Sequence, residues 1–139
     1  MKATIARRHL ERVVDANFNR SKEGFRVLED ICRFVLNSSE LTAGFKVLRH
    51  ELTGAVAVFG LRQVISSREI SRDVGRATSQ AESDRQSLAD VFYANAQRVK
   101  ESLRVLEEFA KLADRGAAEK IKRIRYAVYG LEKKVLKRM

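Results

Sequence analysis

The sequence has no proline and no tryptophan, a single cysteine, two histidines and only seven glycines. Each scarcity removes a class of structure. Without proline, nothing interrupts a long helix. The lone thiol, Cys32, cannot form a disulfide within the chain, and with only His9 and His50 to join it a Cys/His zinc centre is not expected. No apolar run approaches about 20 residues, so no membrane span is expected. The N-terminus lacks a basic segment feeding an apolar core, so no secretory signal is expected and a cytoplasmic location is. The Walker A loop, G-x-G-x-x-G, G-x-S-x-G and the H-R-D kinase loop are all missing. Ser/His/Asp catalysis has no support either, because His9 lies near the chain end and His50 falls on the polar side of its helix.

What remains is a basic, moderately apolar chain of 139 residues, with 45% hydrophobic residues and a net charge of +10. That size and composition suit one domain with one core, spanning residues 1–139, and exclude a disordered chain. The charge is uneven. Residues 115–139 hold nine basic residues against two acidic ones, which is +7 of the +10. Such a segment serves as a solvated helix face, or meets an anionic ligand, an acidic partner or nucleic acid. Few aromatics (7%) and no nucleic-acid-binding motif count against the last.

Apolar residues recur at helical spacing nearly throughout, and period-2 alternation never persists. One stripe runs from Leu10 through Val13, Val14, Phe18, Phe25, Leu28, Ile31, Cys32 and Val35 to Leu36, and Asn37-Ser38-Ser39 then breaks the pattern and offers N-caps. A second runs from Leu41 to Phe59. Residues 66–82 lose periodicity and read as a connecting loop with room for one helical turn. Ser83-x-x-Gln86 reads as a capping box opening a third helix through Leu88, Val91, Phe92, Leu103, Leu106, Phe109 and Leu112. Asp114-Arg115-Gly116 ends that helix, with Gly116 suited to a left-handed cap, and a fourth covers about 118–138.

The chain also repeats itself. ANFNRSKEGFRVLEDICRF (16–34) returns as ANAQRVKESLRVLEEFAKL (94–112), with Asn17/Asn95, Arg20/Arg98, Lys22/Lys100, Glu23/Glu101, Arg26/Arg104, Leu28/Leu106 and Glu29/Glu107 among the identities. Lys46/Lys122, Arg49/Arg125 and Gly54/Gly130 echo it at a slightly shorter offset. The expected fold is all-α: four main helices as two duplicated helical hairpins (10–64 and 84–138) joined by the 66–82 linker, with approximate two-fold symmetry. Exposed apolar residues on the second and fourth helices would mark a homo-oligomer.

The repeat keeps polar residues in apolar places. At about 100° per residue, Asn17 lies mid-stripe, Arg20 lies inside it and Glu23 on its edge; Asn95 and Arg98 repeat the pattern. Buried amides and guanidiniums are costly without partners. Two readings account for them. One is a structural network of Arg20 and Arg98 with Glu23 and Glu101, the asparagines bracing helix backbones. The other is a cleft between hairpins where asparagines and arginines, with inward-pointing Arg49 and Arg125, receive an anion. Glu23 and Glu101 suit either Mg²⁺ or ion pairs. The Arg68–Arg76 stretch, which contains Asp73 and Gly75, is long for a helix–helix connection and suits a phosphate-wrapping lid. Cys32, on the apolar stripe, reads as an inert buried thiol.

The string DANFNRSKEGFRVLEDICRF (15–34), with Leu41-Thr42, Leu48-Arg49, Arg68, Asp73-Val74-Gly75, Glu82-x-x-Arg85 and the copy from Ala94-Asn95 to Lys111, resembles a helical domain fused before thiamine-phosphate synthase in some bacteria and also found free-standing. The similarity spans about residues 12–130 and departs at Glu69-Ile70, where the family pattern has Asp-Thr. It implies a hydroxymethylpyrimidine phosphate kinase that makes the pyrophosphate with ATP and Mg²⁺, acting on a small anionic pyrimidine. On that reading Arg20, Arg49, Arg68, Arg98 and Arg125 bind phosphates, Asn17 and Asn95 bind substrate or order the cleft, and Glu23, Glu101 or Asp73 sits near metal or hydroxyl; no base is assigned. No synthase barrel follows here, so joining pyrimidine to thiazole is not expected of this chain. The rival expectations are a noncatalytic partner module of thiamine-phosphate synthase, a nucleic-acid binder and an all-α enzyme for another small dianion.

Overall fold

A computed structural model describes residues 2–139, with side chains described for 6–80 and 82–139. The chain is all-α, with no strand among the described residues. Four long helices carry it: α1 (Lys2–Asp30), α2 (Ser39–Val56), α5 (Leu88–Ala110) and α6 (Arg115–Leu136). Two short ones, α3 (Leu61–Ser66) and α4 (Gln80–Ser83), lie between α2 and α5. Helix α1 packs on α2 and α5, and α6 closes the ring by packing on both α5 and α2. The core inside this ring is built from the predicted stripes, including Phe25, Leu28, Phe45, Leu52, Phe92, Leu103, Leu106 and Ile121, all fully buried. Phe45 sits between Phe25 and Phe92, with ring centroids 6.5 and 6.4 Å away.

The helix ends follow local chemistry. Ser38 caps α2 by accepting from the Leu41 N–H at 3.2 Å. The third long helix starts later than the Ser83–Gln86 reading places it. Its cap is Ser87, which accepts from the Asp90 N–H, while the Asp90 carboxylate accepts from the Gln86 N–H. Ser83 instead closes α4, itself capped by Ser79. Gly116 is not a left-handed cap: Asp114 caps α6 through the Ala117 N–H at 2.9 Å, and Gly116 lies inside the helix. Among the described residues only Asn37 and Gly60 have positive φ. Helix α1 widens into a π-turn over Ile31–Val35, which breaks the 100° step. Val35, assigned to the stripe by that step, is therefore exposed. Leu88, at the start of α5, and Leu112, in the turn beyond its end, both also assigned to an apolar stripe, are exposed.

Helices α1 and α5 approach closely. The buried hydroxyls of Ser21 and Ser102 hydrogen-bond at 2.7 Å. One turn on, a Cβ at Gly24 would stand 2.6 Å from Val99 Cγ2 and 3.4 Å from the Asn95 carbonyl oxygen. Glycine here is required by the approach of the helices, not by backbone conformation. Gly24→Ala should lower stability by about 1–3 kcal/mol in urea unfolding, although glycine to alanine in an unhindered helix gains up to about 1 kcal/mol; stabilisation would refute the close crossing. Cys32 is fully buried, and burial raises its thiol pKa to about 11. A thiol reagent at pH 8 should leave it unmodified until denaturant is added, and stoichiometric labelling of native protein would contradict its placement.

Candidate functional site

Helices α1 and α5 and the 67–86 connection enclose a cleft of about 820 Å³, a volume suited to a small-molecule ligand. Helical spacing of three to four residues brings Arg12, Ala16, Asn19, Arg20 and Glu23 to it from α1, and Arg98, Glu101, Ser102 and Val105 from α5. The connection supplies the remaining wall, from Arg68 to Glu82. It is latched to α1 at one end. Arg68 makes a bidentate pair with the buried Asp15, its Nε and Nη2 donating at 2.7 and 2.8 Å, and Glu69 accepts from Arg8 at 2.7 Å. The Asp15 hydrogen bond, and then its charge, raise the Arg68 pKa, so the fork stays protonated.

Five arginines and six carboxylates line the cleft, so net charge does not make it an anion site; with Arg68, Asp15 and Glu69 paired, four arginines and four carboxylates (Glu23, Asp73, Glu82 and Glu101) are left without an ion pair among the described residues, a mixed lining that suits a phosphate together with a cation. Arg68 and Asp15 neutralise each other, and Glu69 is engaged by Arg8 and Arg72. Arg12, Arg20, Arg76 and Arg98 have no ion-pair partner among the described residues. Arg20 only donates a long 3.4 Å hydrogen bond to Asn17. The Arg20 and Arg98 network with Glu23 and Glu101, one of the two readings of the repeat, has no ion pair among the described residues; Glu101 accepts instead from Gln97. Arg20, expected inside the apolar stripe, is exposed on the cleft wall, as is Arg98, because no helix covers this side of the α1–α5 crossing.

The other candidates lie elsewhere or act structurally. Asn17 reaches the cleft but is buried, donating to the Val13 carbonyl at 2.9 Å; Asn95 does the same to Val91 at 2.8 Å and does not line the cleft. Both thus brace their own helix. Arg49 and Arg125 point inward, as expected, but away from the cleft. Arg49 Nε donates to Glu29 at 2.6 Å, and Arg125 Nε donates to Glu107 at 3.0 Å. Burial pulls the Arg125 pKa down, but hydrogen bonds to Tyr129 and Glu107 outweigh it, and the net shift is upward. The sequence repeat thus makes the same Glu–Arg pair in each half. Lys22 and Lys100 support the same interhelical seams, on Thr53 at 2.6 Å and Glu132 at 2.8 Å.

Arg12, Asp15, Asn19, Arg76, Thr78 and Glu82 complete the cleft without having been singled out as site residues. A usable signal existed for Arg12, which lies on the Ala16–Arg20–Glu23 face. Arg76 lies in the Arg68–Arg76 stretch read as a phosphate-wrapping lid and Glu82 in the Glu82-x-x-Arg85 motif, whereas Thr78 carried no signal, since only folding brings it to the cleft. Glu23, Glu101 and Asp73 supply hard oxygen donors at the cleft, yet among the described residues no three His, Cys, Asp or Glu side chains form a metal cage. This donor set fits Mg²⁺ arriving with a phosphate ligand, since that ion needs only one or two carboxylates beside phosphates and water.

The architecture defines a helical domain with a polar cleft against one long connection. The chain matches the ThiD2 family over residues 12–134 and belongs to it. It is 41% identical over 122 residues to a thiamine-phosphate synthase of Nostoc sp. PCC 7120, covering 87% of this chain and 34% of that one. It is 42% identical over 119 residues to a thiamine-phosphate synthase of Rhodopirellula baltica, covering 85% and 32%. The chain thus spans about a third of the length of the curated relatives it matches. No solved structure matches it. Among the described residues, no helix is long and apolar enough to cross a membrane.

The two arginine classes should separate experimentally. Arg49→Met and Arg125→Met each leave a buried carboxylate with only a more distant, exposed partner at 3.7 Å, Arg26 for Glu29 and Arg104 for Glu107, and should cost about 3 kcal/mol in denaturant unfolding. Arg20→Ala and Arg98→Ala should stay within about 0.5 kcal/mol of the parent. Equal losses in all four variants would contradict the division.

Proposed function

We propose that the chain acts in thiamine biosynthesis by transferring the γ-phosphoryl group of ATP to hydroxymethylpyrimidine phosphate, giving the pyrophosphate. The observation that carries this reading is the set of arginines at the cleft without ion-pair partners, facing carboxylates suited to Mg²⁺. Family membership and relatives named thiamine-phosphate synthase supply the pathway context.

In this reaction the nucleophile is an oxygen of the substrate's own phosphate. It attacks the γ-phosphorus, the bond from that phosphorus to the β–γ bridging oxygen breaks, and ADP leaves. A phosphate monoester has its second pKa near about 6 and is mostly dianionic at pH 7. No general base is needed, which suits a cleft with no histidine in its lining. The difficulty lies in holding two polyanions in line. Arg20 and Arg98, from facing helices, bridge donor and acceptor phosphates, and Arg12 and Arg76 neutralise the outer oxygens. Glu23, Glu101 or Asp73 would hold Mg²⁺, which screens the transferring phosphoryl group when bound. Arg68 keeps the connection on α1 through Asp15, so its role is positioning the wall.

A second reading rests on length: the chain corresponds to about a third of proteins named thiamine-phosphate synthase, so it serves as a noncatalytic module of such a synthase. The test is ADP release by purified protein from Mg-ATP plus 4-amino-5-hydroxymethyl-2-methylpyrimidine phosphate. Substrate-dependent ADP is expected, with kcat/KM falling about 100-fold or more in Arg20→Ala and in Arg98→Ala. No substrate-dependent ADP from folded protein would sink the kinase reading and favour the module.

A further inference from the structure

The cleft lies on the α1–α5 side of the ring, and the α2–α6 side carries a surface that the monomer does not use. There the two helices run antiparallel, with Gly44 against Leu131 and Glu40 paired to Lys134 at 3.6 Å. Between them lies an apolar groove of about 460 Å³, formed by Ala43, Gly44, Val47, Ala127, Gly130 and Leu131. Val47 is 53% exposed. Gly54 and Gly130, at matching positions of the repeat, sit inside helices with open space where a Cβ would be. Neither has positive φ. Each costs up to about 1 kcal/mol against alanine, and nothing within the monomer approaches closely enough to account for it.

The rims carry opposite charge. At steps of three to four residues, the α2 rim presents Glu40 and Glu51, and the α6 rim presents Lys120, Arg123 and Lys134. Continuing the Glu40–Lys134 and Gly44–Leu131 register, Glu51 falls level with Arg123. Glu51, Lys120 and Arg123 have no ion-pair partner among the described residues. This pattern is complementary to itself. A two-fold axis along the groove lays the α2 of one copy on the α6 of the other, with Glu51 over Arg123 and Glu40 over Lys134, while the small residues let the helices approach.

We propose that the chain forms a two-fold homodimer through α2 and α6, leaving a cleft open on each outer side. The occupant is a second copy because the charge pattern matches its own reverse at two levels, Glu51 with Arg123 and Glu40 with Lys134. The inference is independent of the activity assigned to the cleft.

Sedimentation equilibrium of the full chain tests it. A dimer is expected at tens of micromolar. Ala127→Glu, at an exposed position, should give a monomer with unchanged helical circular dichroism. Glu51→Lys should raise the dimer dissociation constant about 10-fold or more, and Glu51→Lys with Arg123→Glu should restore it to within about threefold. A parent protein that is monomeric at about 100 µM would overturn the proposal, whether or not the same face captures purified thiamine-phosphate synthase. So would a dimer unaffected by Ala127→Glu, or a double swap as weak as the single.

Discussion

The crossing of α1 and α5 at Ser21, Gly24, Val99 and Ser102 is the constraint on which the rest of the structure depends. It brings two helices so close that a methyl group at Gly24 has no room beside Val99. Beside that contact a gap is left that no third helix covers, lined by Arg20 and Glu23 from α1 and by Arg98 and Glu101 from α5. The connection then closes over that gap, fixed by the Asp15–Arg68 fork. The cleft is thus made by packing, and its polar lining stands where no third helix arrives to bury it.

Charge is divided by the same geometry. Where α1 meets α2, and where α5 meets α6, a glutamate and an arginine are buried together, Glu29 with Arg49 and Glu107 with Arg125. Removing the arginine leaves each glutamate only the longer 3.7 Å contact with Arg26 or Arg104, and removing the glutamate takes away the ion-pair partner of a buried guanidinium. At the α1–α5 cleft Arg12, Arg20, Arg76 and Arg98 lack such partners among the described residues and are available to a ligand that brings its own negative charge. Two residues of the same type and similar helical direction, Arg20 and Arg49, therefore do different work because one faces a carboxylate and the other faces open space.

Much of this was legible in the sequence, and the failures have physical causes. The helical content, the four long helices and the apolar core follow from the 3.6-residue period and the lack of proline. The repeat singled out Arg20, Glu23, Arg98 and Glu101, which line the cleft, and Arg49 and Arg125, which pair with Glu29 and Glu107 instead. A wheel, however, reports direction, not what lies there. It turned Arg20 and Arg49 both inward without showing that one meets a gap and the other Glu29. It failed at Val35 because the π-turn breaks the step, and it misplaced the third long helix because Ser87 and Asp90 outcompete Ser83 and Gln86 as caps. The Asp15–Arg68 fork joins residues from a helix and a loop distant in sequence, and no local pattern announces it.

The account's central claim is that the unpaired arginines of the α1–α5 cleft receive a phosphorylated ligand while Arg49 and Arg125 hold the fold. A crystal structure with a non-hydrolysable Mg-ATP analogue and the pyrimidine monophosphate tests this most directly. The prediction is phosphate oxygens within hydrogen-bonding distance of Arg20 and Arg98, with Arg49 still on Glu29 and Arg125 still on Glu107. Ligand density outside the cleft, or phosphates held by Arg49 or Arg125 after release from their glutamates, would contradict it.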